Sequence, residues 1–290
     1  MIKINSKAFF FTFAVILFAS TLVFLTQSFS SKSVLDEREI ISSYRSTIIP
    51  FLNDDIGCDL KNILGFETSV DYNGVVLELR VSDSISKDTN VRTELNNYSL
   101  FLDNYFKRNQ GHKEIDFSNA LDGNYEIFYG DYEEYFTYVN DFDNNSIKLY
   151  PNTSYPNTTN VLEKIDLNIF VKDKQLVDYN WYSIESSGAV PVLINYFGDY
   201  NTFEISKIIN PSASSSLVLE FEDGVVDINF GLIGENSSSF LIDSGINSKI
   251  DFSIYSKYVF DKNELPIYFN SNLVVLLPEI EYSSLIGLKK

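Results

Sequence analysis

From Ala8 to Leu25 the chain is apolar except for Thr12, Ser20 and Thr21, and no charge interrupts the stretch between Lys7 and Lys32. A helix needs about 20 such residues to cross a hydrocarbon layer about 30 Å thick. It also satisfies its own backbone there, and Ser or Thr hydroxyls can bond back to a carbonyl one turn earlier. The pattern predicts an uncleaved transmembrane helix over 8–29. Cleavage in the small, polar run 28–33 is the alternative, but the apolar stretch is longer than that of a signal peptide and no A-x-A pattern ends it.

Helical spacing continues over 34–49 through Val34, Leu35, Ile41, Tyr44 and Ile48, with Pro50 as the expected end. A second helix is predicted over 51–64, capped by Asn53 or Asp54, striped by Ile56, Leu60 and Ile63, and stopped by Gly65. A third is predicted over 94–108. Beyond these the period falls to two. Alternation predicts strands over 75–81, 125–127, 135–139, 165–171, 176–181, 190–196, 203–209, 217–221, 225–230, 250–255 and 273–277. Asn73-Gly74 and Glu222-Asp223-Gly224 have turn chemistry. The run 273–277 is too short to span a bilayer and fits a central strand.

Many short strands without long helices between them indicate a sandwich or barrel. The expected class is therefore an N-terminal transmembrane helix followed by a mixed α+β segment and a mainly β, sandwich-like ectodomain. The expected divisions are a cytoplasmic tail (1–7), the anchor (8–29), a helical stalk (30–65), an α+β region (66–160) and an all-β domain (161–290). The Asn- and Pro-containing stretch 141–160 marks the last boundary as an exposed connection.

Lys3, Lys7 and the amino group precede the span, and Lys32 and Arg38 follow it among Asp36, Glu37 and Glu39. Basic residues alone leave the two sides nearly level. The short tail and the amino group place the N-terminus inside and the bulk of the chain outside the cytoplasm. The 22 basic and 40 acidic residues give a net charge of −18, which repels nucleic acid and anionic headgroups. Expected partners are membrane lipid through residues 8–29 and envelope proteins or glycans.

Little in the chain points to a reaction. The single His, His112, and the single Cys, Cys58, are far apart, so neither a zinc set nor a thiol–imidazole pair is expected. No G-x-S-x-G or phosphate-binding Gly-rich loop occurs. Asp141, Asp143, Asn144 and Asn145 place oxygens as a calcium loop does, but the 12-residue frame, its central Gly and its closing Glu are missing. No cofactor, metal or catalytic residue is assigned. Cys58, between Ile56 and Leu60, is expected to be buried and reduced. Sequons at Asn97, Asn144, Asn152, Asn157 and Asn236 are candidate N-glycosylation sites, three of them clustered in 141–160.

The stretch from Lys3 to Gly65 combines two early basic residues, a Phe-rich span, an amphipathic helix and a second helix ending in Ile63-Leu64-Gly65. In this layout it resembles uncharacterised archaeal-type membrane-anchored surface proteins. It is also similar to secretion pilins, but lacks their processing site and has no acid before Asp36. The resemblance implies a surface location. The function expected is a structural, adhesive or binding role at the cell surface. The alternative is an anchored hydrolase of envelope glycans or peptides that works through paired carboxylates.

Overall fold

The computed structural model describes residues 49–73, 76–85, 90–108, 112–115, 117–130, 136–151, 161–183, 189–234, 236–259, 266–277 and 280–288, with helical positions at 18, 20–22, 26 and 27. The chain forms two compact units, Met1–Leu52 and Asn53–Lys290. Most of the expected span and stalk, including all of 28–48, lies outside the described residues. Among the described residues no helix is long and apolar enough to cross a membrane. Within the first unit, Thr26 Oγ1 donates to the Leu22 carbonyl one turn back at 2.8 Å, the bond expected of a hydroxyl in an apolar helix.

Helix α1 (Ile49–Leu64) leads to β1 (Glu67–Tyr72), β2 (Val76–Ile85), α2 (Asn90–Arg108), β3 (His112–Ile115), the single turn α3 (Ser118–Leu121), β4 (Asn124–Tyr129), β5 (Phe136–Asp141) and β6 (Ser146–Pro151). Then follow β7 (Val161–Val171), β8 (Leu176–Ser183), β9 (Val190–Gly198), β10 (Thr202–Ile209), β11 (Ser214–Phe221), β12 (Gly224–Ile233), β13 (Asn236–Ser244), β14 (Ile250–Val259), β15 (Ile267–Leu277) and β16 (Ile280–Gly287).

The strands form two sheets. One has six strands in the order β1-β2-β14-β7-β9-β10. The other has ten, in the order β16-β15-β4-β5-β6-β13-β12-β11-β8, with β3 also pairing β15. Pairing is antiparallel except between β7 and β9, which run parallel because β8 crosses to the far edge of the other sheet. Alternation sets the faces. In β14, Ile250, Phe252, Ile254, Ser256 and Tyr258 are buried and the residues between them half-exposed. The buried faces meet in a sandwich core, where Tyr258 packs on Phe136 at 4.5 Å and Tyr196 on Phe221 at 6.4 Å.

The expected β-rich, sandwich-like class is therefore the observed one, but the expected boundary near residue 160 runs through both sheets. Strand β2 pairs β14, and β6 pairs β13, so neither side of that boundary buries its own faces. The supposed connection 141–160 contains β6, while 152–160 lies outside the described residues. The helix expected over 34–49, which Pro50 was to end, lies outside the described residues except for Ile49, and Pro50 itself belongs to the next helix. It is the second residue of α1, where its missing N–H costs nothing. The C-terminus is as expected: Gly65 has φ 62°, its N–H meets the Asn62 carbonyl, and Phe66 N–H meets the Lys61 carbonyl, the paired bonds of a Schellman stop.

Asn53 also has a role other than capping. Its Nδ2 donates to the Leu285 carbonyl at 3.1 Å and its Oδ1 accepts from Gly287 N–H at 3.0 Å. Strand β16 is the edge of its sheet, so one side-chain amide occupies backbone groups that would otherwise invite another strand.

Candidate functional site on the outer face of the six-stranded sheet

The pairing registers arrange the outer face of the six-stranded sheet as rows that cross the strands. One row runs Glu67, Ser82, Ser253, Asn168, Asn195 and Glu204, one residue from each strand. Ser82 donates to Ser253 at 3.1 Å, and Asn195 Nδ2 to Asn168 Oδ1 at 2.9 Å. The next row runs Ser84, Asp251, Phe170, Phe197 and Thr202. Phe170 and Phe197 stack at 4.8 Å with a 12° tilt and stay 40% and 41% exposed. That separation matches the spacing of neighbouring strands, so the rings stand on the sheet side by side.

Beside this pair is a groove of about 370 Å³, lined by Phe170, Glu67, Ser82, Ser84, Lys249 and Asp251 among others. Its origin is simple. Serines 82, 84 and 253 give a low floor, with the ring of Phe170 on one side and the turn at Gly65 and Glu67 on the other. Ser84 Oγ donates to Asp251 Oδ1 at 2.7 Å, and Lys249 Nζ reaches the same oxygen at 2.9 Å. Burial pushes the Asp251 carboxyl up, but the bonds from Lys249 and Ser84 outweigh it and hold the group below the usual carboxylate range. A wider cleft of about 600 Å³ adjoins the groove, shares Gly65 and Glu67 with it, and is lined by Cys58, Lys61 and Thr68.

Beneath the groove, the next residue of β2 points into the core. Asp83 is 4% exposed. Its Oδ2 accepts from Tyr125, from Tyr138 at 2.5 Å and from Asn140 Nδ2 at 2.7 Å, and its Oδ1 from Ser84 N–H at 2.7 Å. Burial, then the Asp83 charge, pushes both phenols well above their ordinary range, so they remain donors. Nearby, the Tyr129 hydroxyl and Thr68 Oγ1 are 2.9 Å apart. This network joins the sheets.

The residues singled out in the sequence do not converge. Asn97 is exposed on α2 and Asn144 is exposed in the β5–β6 turn, where its Nδ2 donates to Asp141 Oδ2 at 2.6 Å. Asn236 is half-exposed at the start of β13, and Asn152 and Asn157 lie outside the described residues. The calcium-like turn is closed by its own bonds: Asp141 accepts from Asn144, and Asp143 pairs with Arg92. Among the described residues no group of three or more His, Cys, Asp or Glu could hold a metal. His112 lies in β3 opposite Leu276.

Cys58 overturns its expectation, being exposed. Ile56 and Leu60 are buried on α1, and Cys58, about 200° around the helix from both at 3.6 residues per turn, faces the cleft. Sequence reasoning missed the groove. Phe170, Asp251 and Ser84 are distant along the chain, and only the register of β7, β14 and β2 makes them neighbours.

A scan of protein-family models and searches of curated proteins and of solved structures found no match to this chain.

Proposed function

We propose that the chain is a membrane-anchored, extracytoplasmic surface protein whose sandwich has a structural, adhesive or binding role. The reading is carried by the outer face of the six-stranded sheet, an ordered amphiphilic surface with exposed stacked rings and a groove. A solvated sheet face is ordinarily a mixture of charges, and an exposed aromatic pair beside short polar side chains favours a contact surface. The apolar run 8–29 in the sequence supports the anchor, with the N-terminus inside. The acidic charge supports an ectodomain held off an anionic bilayer.

A hydrolytic role has one observation behind it, since Glu67 and Asp251 line the same groove. Asp251 is held ionised by Lys249 and Ser84, the reverse of what a proton donor requires. Binding is therefore the better reading.

The test is fractionation of the producing cells. The intact chain should stay with membranes through high salt and alkaline carbonate, and protease added to intact cells should remove the sandwich. A soluble mature form beginning near Ser30, or protection from the protease, would overturn the proposal.

A further inference from the structure

We infer that the groove between Phe170 and Glu67 binds a neutral pyranose residue of a glycan, an inference that rests on the reading of the chain as a binding protein. Phe197 covers one face of the Phe170 ring. The other is turned towards β14, where Asp251 is the cross-strand partner of Phe170 and the groove opens.

A contrast on the same sheet isolates this ring. Tyr255, also outward-facing on β14, is flanked by Arg80 at 5.2 Å and Lys164 at 5.8 Å from its centroid. Its π-faces are already occupied by cations. Among the described residues no cation lies over the Phe170 ring. An aromatic face is electron-rich, and the axial C–H groups of a pyranose present a patch of weak positive charge to it.

The polar lining suits the hydroxyl rim of the sugar. Both Ser84 and Lys249 bind Oδ1 of Asp251, which leaves Oδ2 to accept from a sugar hydroxyl, with Glu67 as a second acceptor across the groove. The volume of about 370 Å³ lies within the range of small-ligand sites. Charge selects a neutral sugar. Among the described lining residues the one cation, Lys249, is already paired with Asp251, and Glu67 and the net charge of −18 repel uronic or sialic acids.

The experiment uses the full chain in lipid nanodiscs free of glycoside detergent. Saturation-transfer NMR and calorimetry are run with the methyl glycosides of glucose, galactose, mannose and N-acetylglucosamine and with their short oligomers. At least one should bind saturably. Phe170→Ala should weaken it about tenfold. Ser82→Leu, which fills the floor from a surface position, should abolish it. Ile208→Ser, exposed on the same sheet but away from the groove, should leave it unchanged. Failure of every sugar to bind, or full binding by a folded Phe170→Ala or Ser82→Leu protein, overturns the inference. A protein that stays in carbonate-washed membranes yet binds no sugar refutes this site and not the anchor. A sugar binder that washes off refutes the anchor and not this site.

Discussion

The carboxylate of Asp83 on β2 accepts the phenolic proton of Tyr138 on β5 at 2.5 Å, and this bond crosses from one sheet of the sandwich to the other. Tyr125 and Asn140 donate to the same oxygen, so Asp83 is a buried carboxyl group held by hydrogen bonds from three side chains. Such a group costs much to bury and more to leave unpaired. Tyr138→Phe should lower unfolding stability by about 1.5–3 kcal/mol, the range for a bond to a charged group. Asp83→Ala should cost about 3–5 kcal/mol, because it removes the acceptor shared by two phenols and an amide. Denaturant unfolding of the two variants tests the order; equal losses would overturn it, and negligible losses in both would mean the network contributes nothing to stability.

Helix α1 depends on a close approach. A Cβ on Gly57 would lie 2.1 Å from the Gly287 carbonyl oxygen, a backbone atom that cannot swing aside. Gly57→Ala should therefore cost about 1–3 kcal/mol through displacement of the helix, although alanine is the better helix former. Asn53→Ala should cost a similar amount by removing both bonds to β16. Hydrogen exchange provides the specific readout: the Gly287 amide should lose protection in Asn53→Ala while the β14 amides keep theirs.

Asp227 and Asp243 are cross-strand partners on β12 and β13. Burial, then the Asp227 charge, raises the Asp243 carboxyl above its ordinary value. The folded chain thus holds that proton more tightly than the unfolded chain. Stability declines as pH rises through the interval between the ordinary and the raised value, and the repulsion is fully present at neutral pH. Asp243→Asn should stabilise the protein at pH 7 by about 0.2–1 kcal/mol, the range for an exposed cross-strand pair. The gain should vanish in acid, where the Asp243 carboxyl is protonated. Thermal melts at pH 7 and in acid check the sign.

Cys58 is exposed at the rim of the wider cleft. Maleimide should label the native protein about as fast as the denatured one. Cys58→Ser should shift stability by less than about 0.5 kcal/mol, as for other surface substitutions. Slow native labelling would place the thiol inside.

Short-range pattern determined a large part of this protein. Period-two alternation located β2, β7, β9, β12, β14 and others to within a few residues, because one buried face forces that period. Gly65 marked the end of α1 because its positive φ suits glycine. Strands β1, β3, β6, β13 and β16 were missed. Their segments, such as Asn236–Ser244 with its Ser-rich start, have weak intrinsic preference and are recruited by neighbours. The exposure of Cys58 was missed because a nearby Ile and Leu do not say on which side of a helix the core lies.

The sequence by itself determined the β-rich class, the helix that ends at Gly65 and the apolar run that suggests an anchor, since each follows from contacts within a few residues. Only the tertiary structure decided which strands pair, and with that the crossing of the chain between sheets, the burial of Asp83 and the meeting of Phe170 with Asp251 and Ser84. Alternation says which residues share a face of one strand and nothing about the strand beside it. Register is set by the packing of the whole sandwich, and the groove is a product of register.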